Sequence, residues 1–175
     1  MNLILIGYRC TGKTTIARVL AEHLGWPVVD TDTLVQEQAG RSIQEIVAEG
    51  GWPAFRRLEH KVVGDVVRRD EQIISAGGGV ILDDRNTRVL RENGKVVLLT
   101  APPEVIWDRM KADAKTPAER PNLTDQGGID EVRALLAERA AHYDAACHYR
   151  IATDRFSPAE TAGRILAWAK AQREL

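Results

Sequence analysis

The chain has 175 residues, 44% of them hydrophobic and 28% charged, and its formal net charge is −1. This composition is typical of a globular domain, and so small a net charge excludes an overall field that attracts nucleic acid or an anionic membrane surface. The sequence has no apolar run of membrane-spanning length, no basic secretory leader, and only two cysteines, so we expect a single cytoplasmic domain over residues 1–175.

The first predicted elements are a buried strand, a phosphate loop over residues 7–15 and a helix, in "LILIGYRCTGKTTIARVL". The loop fits the pattern G-x-x-x-x-G-K-[ST]. Gly7 and Gly12 allow the backbone to curl around phosphate oxygens, Lys13 reaches the outer phosphates, and the Thr14 hydroxyl can ligate Mg²⁺. The positive end of the helix dipole adds to the attraction. The pattern predicts a nucleotide site; the alternative is a glycine-rich turn with a solvated lysine.

Four more β-like runs follow in chain order, at "PVVD", "QIISAGGG", "KVVLLTAP" and "YRIAT". Amphipathic segments alternate with these runs, near residues 12–24, 42–70, 83–93, 103–111, 128–146 and 157–173. The alternation predicts an α/β fold with a five-stranded parallel sheet and helices on both faces. Ligands of such sheets bind beyond the carboxyl ends of the strands.

One polar segment does not fit this alternation. "KADAKTPAERPNLTDQGG" is rich in helix breakers and too long for a tight connection. It predicts a mobile lid over about residues 111–126.

Asp30 and Asp32 follow the second predicted strand, in "VVDTDTL". If the chain is extended there, both carboxylates project to the same side. Two acids beside a nucleotide can anchor hydrated Mg²⁺ and accept a proton from an attacking hydroxyl. The alternative is that one of them caps a helix that starts near Thr31.

Arg56 and Glu59 lie at positions i and i+3 of a predicted helix, where they can pair and hold the guanidinium still. Arg139 lies on a later helix, and the two arginines could converge on a small carboxylate. The "SAGGGV" turn allows close contact between backbone and ligand. The alternative for either arginine is a solvated helix face.

In this order the motifs resemble those of shikimate kinases along nearly the whole chain: "GYRCTGKTT", "DTD", "FRRLEHKVV", "SAGGGV", "RPNLT", "LLAERAAHY" and "TDRFSP". The resemblance implies a three-layer P-loop kinase fold like that of nucleoside-monophosphate kinases. It also implies a monomer that uses ATP and Mg²⁺ to phosphorylate the 3-hydroxyl of shikimate, a step toward aromatic amino acids.

The resemblance also implies a role for individual residues. Nucleotide contacts would fall on Gly12, Lys13, Thr14, Thr15 and Arg109, on the lid residue Arg120, and on the adenine loop from Arg155 to Pro158. Asp30 would position Mg²⁺ through water. Substrate contacts would fall on Asp32, Arg56, Gly78, Gly79 and Arg139. Lys13, Arg120 and Mg²⁺ would stabilise the transferred phosphoryl group, while Asp32 deprotonates the hydroxyl.

Several positions depart from the family pattern: Cys10 replaces a glycine, Gln36 replaces a glutamate, and Trp52-Pro53 replaces a glutamate-led pair. We expect Pro53 in the first turn of the helix that carries Arg56, with Trp52 beside the acceptor pocket. Two other functions are compatible with the motifs. They are another small-molecule kinase, such as a gluconate or nucleoside-monophosphate kinase, and a non-catalytic nucleotide-binding module.

Overall fold

The fold is built on a five-stranded parallel sheet. The computed structural model describes residues 1–113 and 127–172. Its strands are β1 (Asn2–Ile6), β2 (Val28–Asp30), β3 (Ile73–Ser75), β4 (Gly94–Thr100) and β5 (Tyr149–Ala152), in the order β2-β3-β1-β4-β5. Each of the five predicted β-like runs forms one of these strands. The phosphate loop follows the central strand β1, between β3 and β4, where connections leave toward opposite edges of the sheet.

The described helices are α1 (Lys13–Leu24), α2 (Thr31–Ala39), α3 (Ile43–Val66), α4 (Asp84–Asn93), α5 (Pro103–Ala112), α6 (Gly128–Ala146) and α7 (Pro158–Ala171). The six predicted helical segments are confirmed, with small shifts at their ends. Helix α2 was predicted only as the capping alternative for the aspartates. It is short and ends at Gly40, whose φ is 64°. A nine-residue helix leaves too few apolar positions for a clear periodicity.

Alternate side chains of β1 enter two separate cores. Leu3 and Leu5 pack with apolar residues of α1 and α7, whereas Ile4 and Ile6 pack with apolar residues of α3 and α4. A strand that is buried on both faces reads as a continuous apolar run, as "LILI" does. The prediction of helices on both faces is therefore confirmed.

Helix α3 is interrupted at Gly51, where φ is 66° and ψ is 179°. Its first part begins with a capping box between Ser42 and Glu45. Its second part opens with Trp52 and Pro53, and Pro53 fits there because a first-turn N–H has no helical partner. The sequence predicted one continuous segment over 42–70; the break gives Arg56 a helical segment of its own.

Helix α5 extends through Ala112, so the first two residues of the predicted lid, Lys111 and Ala112, belong to the helix. Residues 114–126, with Arg120, lie outside the described residues, and the lid stays a prediction. Within the described ranges, the helices are too short or too polar to cross a membrane.

Candidate active site

A cavity of about 800 Å³ lies at the carboxyl ends of the strands. The phosphate loop and the start of α1 line one side, which we call the phosphate-loop side. Helices α2, α3 and α6 and the glycine turn, residues 77–79, line the other, which we call the acceptor side. Most of the predicted site residues line this cavity: Gly12, Lys13, Thr14, Thr15, Asp30, Asp32, Arg56, Gly78, Gly79, Arg109, Arg139 and Pro158.

The phosphate loop takes a shape that demands glycine at two positions. Gly7 has φ 143°, and a Cβ there would collide with the carbonyl oxygen of Leu99. Gly12, with φ 98°, caps the N-terminus of α1. Lys13 Nζ donates to the carbonyl oxygens of Gly7 and Tyr8 at 2.7 and 2.9 Å. The lysine therefore crosses its own loop, at the end of α1 where the helix dipole favours anions.

Asp30 is the N-cap of α2. Its Oδ1 accepts hydrogen bonds from the backbone N–H groups of Asp32 and Thr33, at 3.0 and 3.2 Å. The assumption of an extended chain through Asp32 is wrong, because the helix begins at Thr31; the capping alternative describes Asp30 correctly. Both carboxylates nevertheless line the cavity.

The glycine turn passes close to the charged groups of the acceptor side. Gly77 N–H donates to Thr31 Oγ1 at 3.0 Å, which ties the turn to the start of α2. A Cβ on Gly77 would collide with the Asp32 carboxylate, and one on Gly79 would collide with the Arg56 guanidinium. A side chain at Gly77 or Gly79 would therefore displace one of these charged groups.

Arg56 and Glu59 form the predicted pair, with Arg56 Nη1 donating to Glu59 Oε2 at 2.6 Å. The Glu59 side chain is only 1% exposed, and its Oε1 has no hydrogen bond to any described residue. Burial raises the pKa of Glu59 to about 7, against the opposing effect of Arg56, and the charge of Asp32 raises it further. The pairing was predicted from spacing; the burial of the carboxyl group was not.

Arg139 reaches the same glycine turn from α6. It is 6% exposed, so the alternative of a solvated helix face is wrong for this residue. Its Nη1 approaches the Gly78 carbonyl oxygen at 3.4 Å, and Tyr143 Oη donates to the same oxygen at 2.6 Å. Burial raises the pKa of Tyr143 to about 12, which keeps this hydroxyl a donor. The guanidinium also lies 5.8 Å from the Tyr8 ring centroid.

Arg109 lies at the far end of the phosphate-loop side. Its guanidinium donates to the carbonyl oxygens of Cys10 and Thr153 and to the Thr153 hydroxyl. Phe156 and Pro158 line the cavity nearby, whereas Arg155 is exposed and outside the lining. The predicted contact between Arg155 and the nucleotide stays a prediction.

Sequence reasoning left several cavity-lining residues without a role, among them Tyr8, Arg9, Thr153 and Phe156. Tyr8 and Arg9 occupy variable positions of the loop pattern, which carries no signal for them. Phe156 lies within the predicted adenine loop, and that loop was the available signal for it. Thr153 is a strand-end threonine that only the tertiary structure brings to the phosphate loop.

Comparison with known proteins agrees with this geometry over nearly the whole chain. The sequence model of the family described as "Shikimate kinase" matches residues 9–170. The chain is 41% identical over 166 residues to the shikimate kinase of Symbiobacterium thermophilum, covering 95% of this chain and 94% of that protein. This chain belongs to the shikimate kinase family.

Other members of the family support the same assignment. The chain is 41% identical to the shikimate kinase of Oleidesulfovibrio alaskensis, with 94% of this chain and 95% of the relative covered. Among solved structures it resembles the shikimate kinase of Acinetobacter baumannii in complex with shikimate, with a TM-score of 0.89 and 31% identity. That match covers 98% of this chain and 93% of the other. The resemblance seen in the motifs is confirmed, and the chain is an enzyme of the kinase class.

The oxygen ligands near the phosphate loop suit the magnesium ion that kinases of this class use. Thr14 and Asp30 line the same cavity, and among the described residues no three His, Cys, Asp or Glu side chains cluster as a metal cage. Mg²⁺ keeps several waters and takes one or two protein oxygens together with nucleotide phosphates. A hydroxyl and one carboxylate fit that preference.

Three departures from the family pattern lie around this cavity. Cys10 has φ 58°, in the left-handed region where a glycine is unstrained. Gln36 approaches the Asp32 carbonyl at 3.3 Å and the Ile43 N–H at 3.4 Å, and so joins α2 to α3. The Trp52 ring lies 5.6 Å from the Arg56 guanidinium. The departures therefore change the surroundings of the predicted site residues and remove none of them.

Proposed function

We propose that the chain transfers the γ-phosphoryl group of ATP to the 3-hydroxyl of shikimate, giving shikimate 3-phosphate for aromatic amino acid biosynthesis. One observation carries the proposal. Arg56 and Arg139 reach one glycine turn beside Asp32, in the same cavity as the phosphate loop. Two guanidinium groups and a carboxylate suit a substrate that combines a carboxylate with hydroxyls.

On the phosphate-loop side, the backbone from Gly12 to Thr15 binds the phosphates, and Lys13 moves from its loop carbonyls to the outer phosphates. Arg109 and Pro158 flank the base. Gly7 gives the loop its shape. In-line phosphoryl transfer requires positioned positive charge rather than covalent chemistry, and the lysine supplies it. Arg120 adds a further charge in this proposal, and it lies outside the described residues.

Thr14 and Asp30 are the residues that would hold Mg²⁺, Asp30 through water. When bound, the ion neutralises charge on the nucleotide phosphates. Capping uses Oδ1 of Asp30, and Oδ2 makes no hydrogen bond to the described residues. Asp30 therefore has an oxygen for a metal-bound water while it still caps α2.

On the acceptor side, Arg56 and Arg139 bind the substrate carboxylate, with Gly78 and Gly79 in backbone contact. Asp32 orients the reacting hydroxyl and accepts its proton. Glu59 holds the Arg56 guanidinium by the 2.6 Å hydrogen bond. The planar guanidinium group therefore meets the substrate carboxylate in one orientation.

A coupled assay of ADP release tests the proposal directly. We expect ADP release with shikimate and only background release with gluconate or CMP. Release with gluconate would favour the alternative of a gluconate kinase, and release with CMP that of a nucleoside-monophosphate kinase. No release with any acceptor, while ADP still binds, would favour the non-catalytic module.

We also propose that the chain acts as a monomer in the cytoplasm and binds neither nucleic acid nor membrane. Among the described residues Val28 is the large apolar side chain that is exposed, and a single residue makes no patch of the size a stable dimer buries. Light scattering at assay concentration tests the monomer.

A further inference from the structure

Thr153, directly after β5, contacts the phosphate loop from the opposite edge of the site. Its side chain is largely buried, and its backbone N–H donates to the Thr100 carbonyl oxygen at 2.8 Å. The hydroxyl donates to the Thr11 carbonyl oxygen at 2.9 Å, with the Thr100 carbonyl oxygen at 3.2 Å. One hydroxyl therefore joins the end of β5 to the phosphate loop.

Arg109 extends the same network. Its Nη1 donates to Thr153 Oγ1 at 3.0 Å and to the Cys10 carbonyl oxygen at 3.3 Å, and its Nη2 donates to the Thr153 carbonyl oxygen at 3.1 Å. Two successive carbonyl groups of the loop, those of Cys10 and Thr11, are thus held by one arginine and one threonine.

The residue held in this way has a backbone conformation that its side chain disfavours. Cys10 has φ 58°, which places its Cβ close to backbone and is unfavourable for residues other than glycine, asparagine and aspartate. A residue in such a conformation persists where surrounding contacts determine it. The hydrogen bonds from Arg109 and Thr153 are contacts of that kind.

We propose that Thr153 is a positioning residue for nucleotide binding. Its hydroxyl holds the Cys10–Thr11 segment, in which Cys10 is left-handed, in the phosphate-binding shape and orients Arg109 toward the base. The proposal rests on the proposed function, in which the loop binds ATP. It makes the base-flanking arginine and the phosphate loop one connected unit.

Thr153→Val tests the proposal, because valine keeps the shape and removes the hydroxyl. The Thr11 carbonyl and one Arg109 N–H then lose a buried partner, and we expect the KM for ATP and the Kd for ADP to rise about tenfold. The KM for shikimate should stay at the wild-type value, and Thr153→Ser should restore ATP binding. Thr153→Ala is the second variant if the valine does not fold, with the same expectation.

Thr100→Val is the matched control. It removes a hydroxyl from the neighbouring strand that approaches the Ile151 carbonyl oxygen at 3.3 Å and does not contact the loop. We expect its KM for ATP to equal that of the wild type. Equal rises in both KM values for Thr153→Val, an unchanged KM for ATP, or failure of the serine variant to restore binding would each overturn the proposal.

Cys10→Gly sharpens the test, since glycine adopts the left-handed conformation without strain. In that background we expect Thr153→Val to weaken ADP binding by about threefold instead of tenfold, because the loop needs less support. A full tenfold loss would contradict the role assigned to the Cys10 conformation.

Lys13→Gln separates this inference from the proposed function. If that variant binds ADP as the wild type does, the assignment of the loop to the nucleotide is wrong. If it loses ADP while Thr153→Val retains it, the assignment stands and the inference about Thr153 is wrong.

Discussion

The two sides of the cavity are built in different ways. The phosphate-loop side takes most of its shape from one short stretch of chain, in which glycines at positive φ turn the backbone and Lys13 bonds to its own loop. Arg109 and Thr153 support that stretch through two of its carbonyl groups. The acceptor side is assembled from α2, α3, the glycine turn and α6, and it contains buried charged groups. The phosphate loop itself is thus encoded by a local stretch of sequence, whereas the acceptor site depends on how distant elements pack.

Asp32→Asn should have the largest effect, and that effect should be confined to the acceptor side. The amide keeps the shape of the carboxylate and cannot accept the hydroxyl proton, so kcat should fall at least ~10²-fold. ADP affinity should stay unchanged, because the phosphate contacts proposed here come from the loop backbone and Lys13. Steady-state kinetics and calorimetric titration with ADP measure the two effects; near-normal turnover would remove Asp32 from catalysis.

Glu59→Gln tests the buried charge of the acceptor side. The pKa of Glu59 is raised from 4.5 to about 7, so between these values the folded chain binds a proton that the unfolded chain has released. This group's contribution to stability therefore falls as the pH rises through that window. We therefore compare the free energy of unfolding of the glutamine variant with that of the wild type. This difference should shift in favour of the variant by about 2 to 3 kcal/mol as the pH rises from about 5 to about 8.

Urea unfolding at several pH values measures this difference. Glu45→Gln is the control, because Glu45 is exposed and hydrogen bonds to Ser42 lower its pKa, so its titration lies below the window. A stability difference for Glu59→Gln that does not change with pH would show that the carboxyl group titrates normally.

Arg56→Lys and Arg139→Lys examine the substrate contact itself. Lysine keeps the charge and loses the planar fork, so the KM for shikimate should rise about tenfold while the KM for ATP stays unchanged. An analogue without the carboxylate should be insensitive to both substitutions. Equal effects on the two substrates would mean that the arginines support the fold instead.

The sequence predicted the two sides unequally, for physical reasons. Local signals in the sequence predicted the phosphate loop, the five strands and the pairing of Arg56 with Glu59. The structure confirms all three. The burial of Glu59 and the approach of Thr153 to Thr11 arise from contacts between distant segments, which no local pattern encodes. Asp30 shows the limit of local reading, since capping and metal binding use the same residue type.

Trp52→Phe should have the smallest effect, a change in the fluorescence response to shikimate. The Trp52 ring lines the cavity, 5.6 Å from the Arg56 guanidinium and edge-on to Phe55. Shikimate should therefore change the intrinsic fluorescence, and the substitution should remove most of that change. If the signal instead survives in Trp52→Phe and is lost in Trp107→Phe, it reports on α5 rather than on the acceptor side.

Titration of Gly79→Ala with shikimate and with ADP tests most directly whether the two sides act separately. A methyl group there would collide with the Arg56 guanidinium, yet φ at this position is −109°, so the backbone accepts alanine without strain. Gly64→Ala, where a Cβ meets no atom within 4 Å, is the matched control. We predict shikimate affinity about tenfold weaker and ADP affinity unchanged. Unchanged shikimate affinity, or an equal loss for both ligands, would contradict the account.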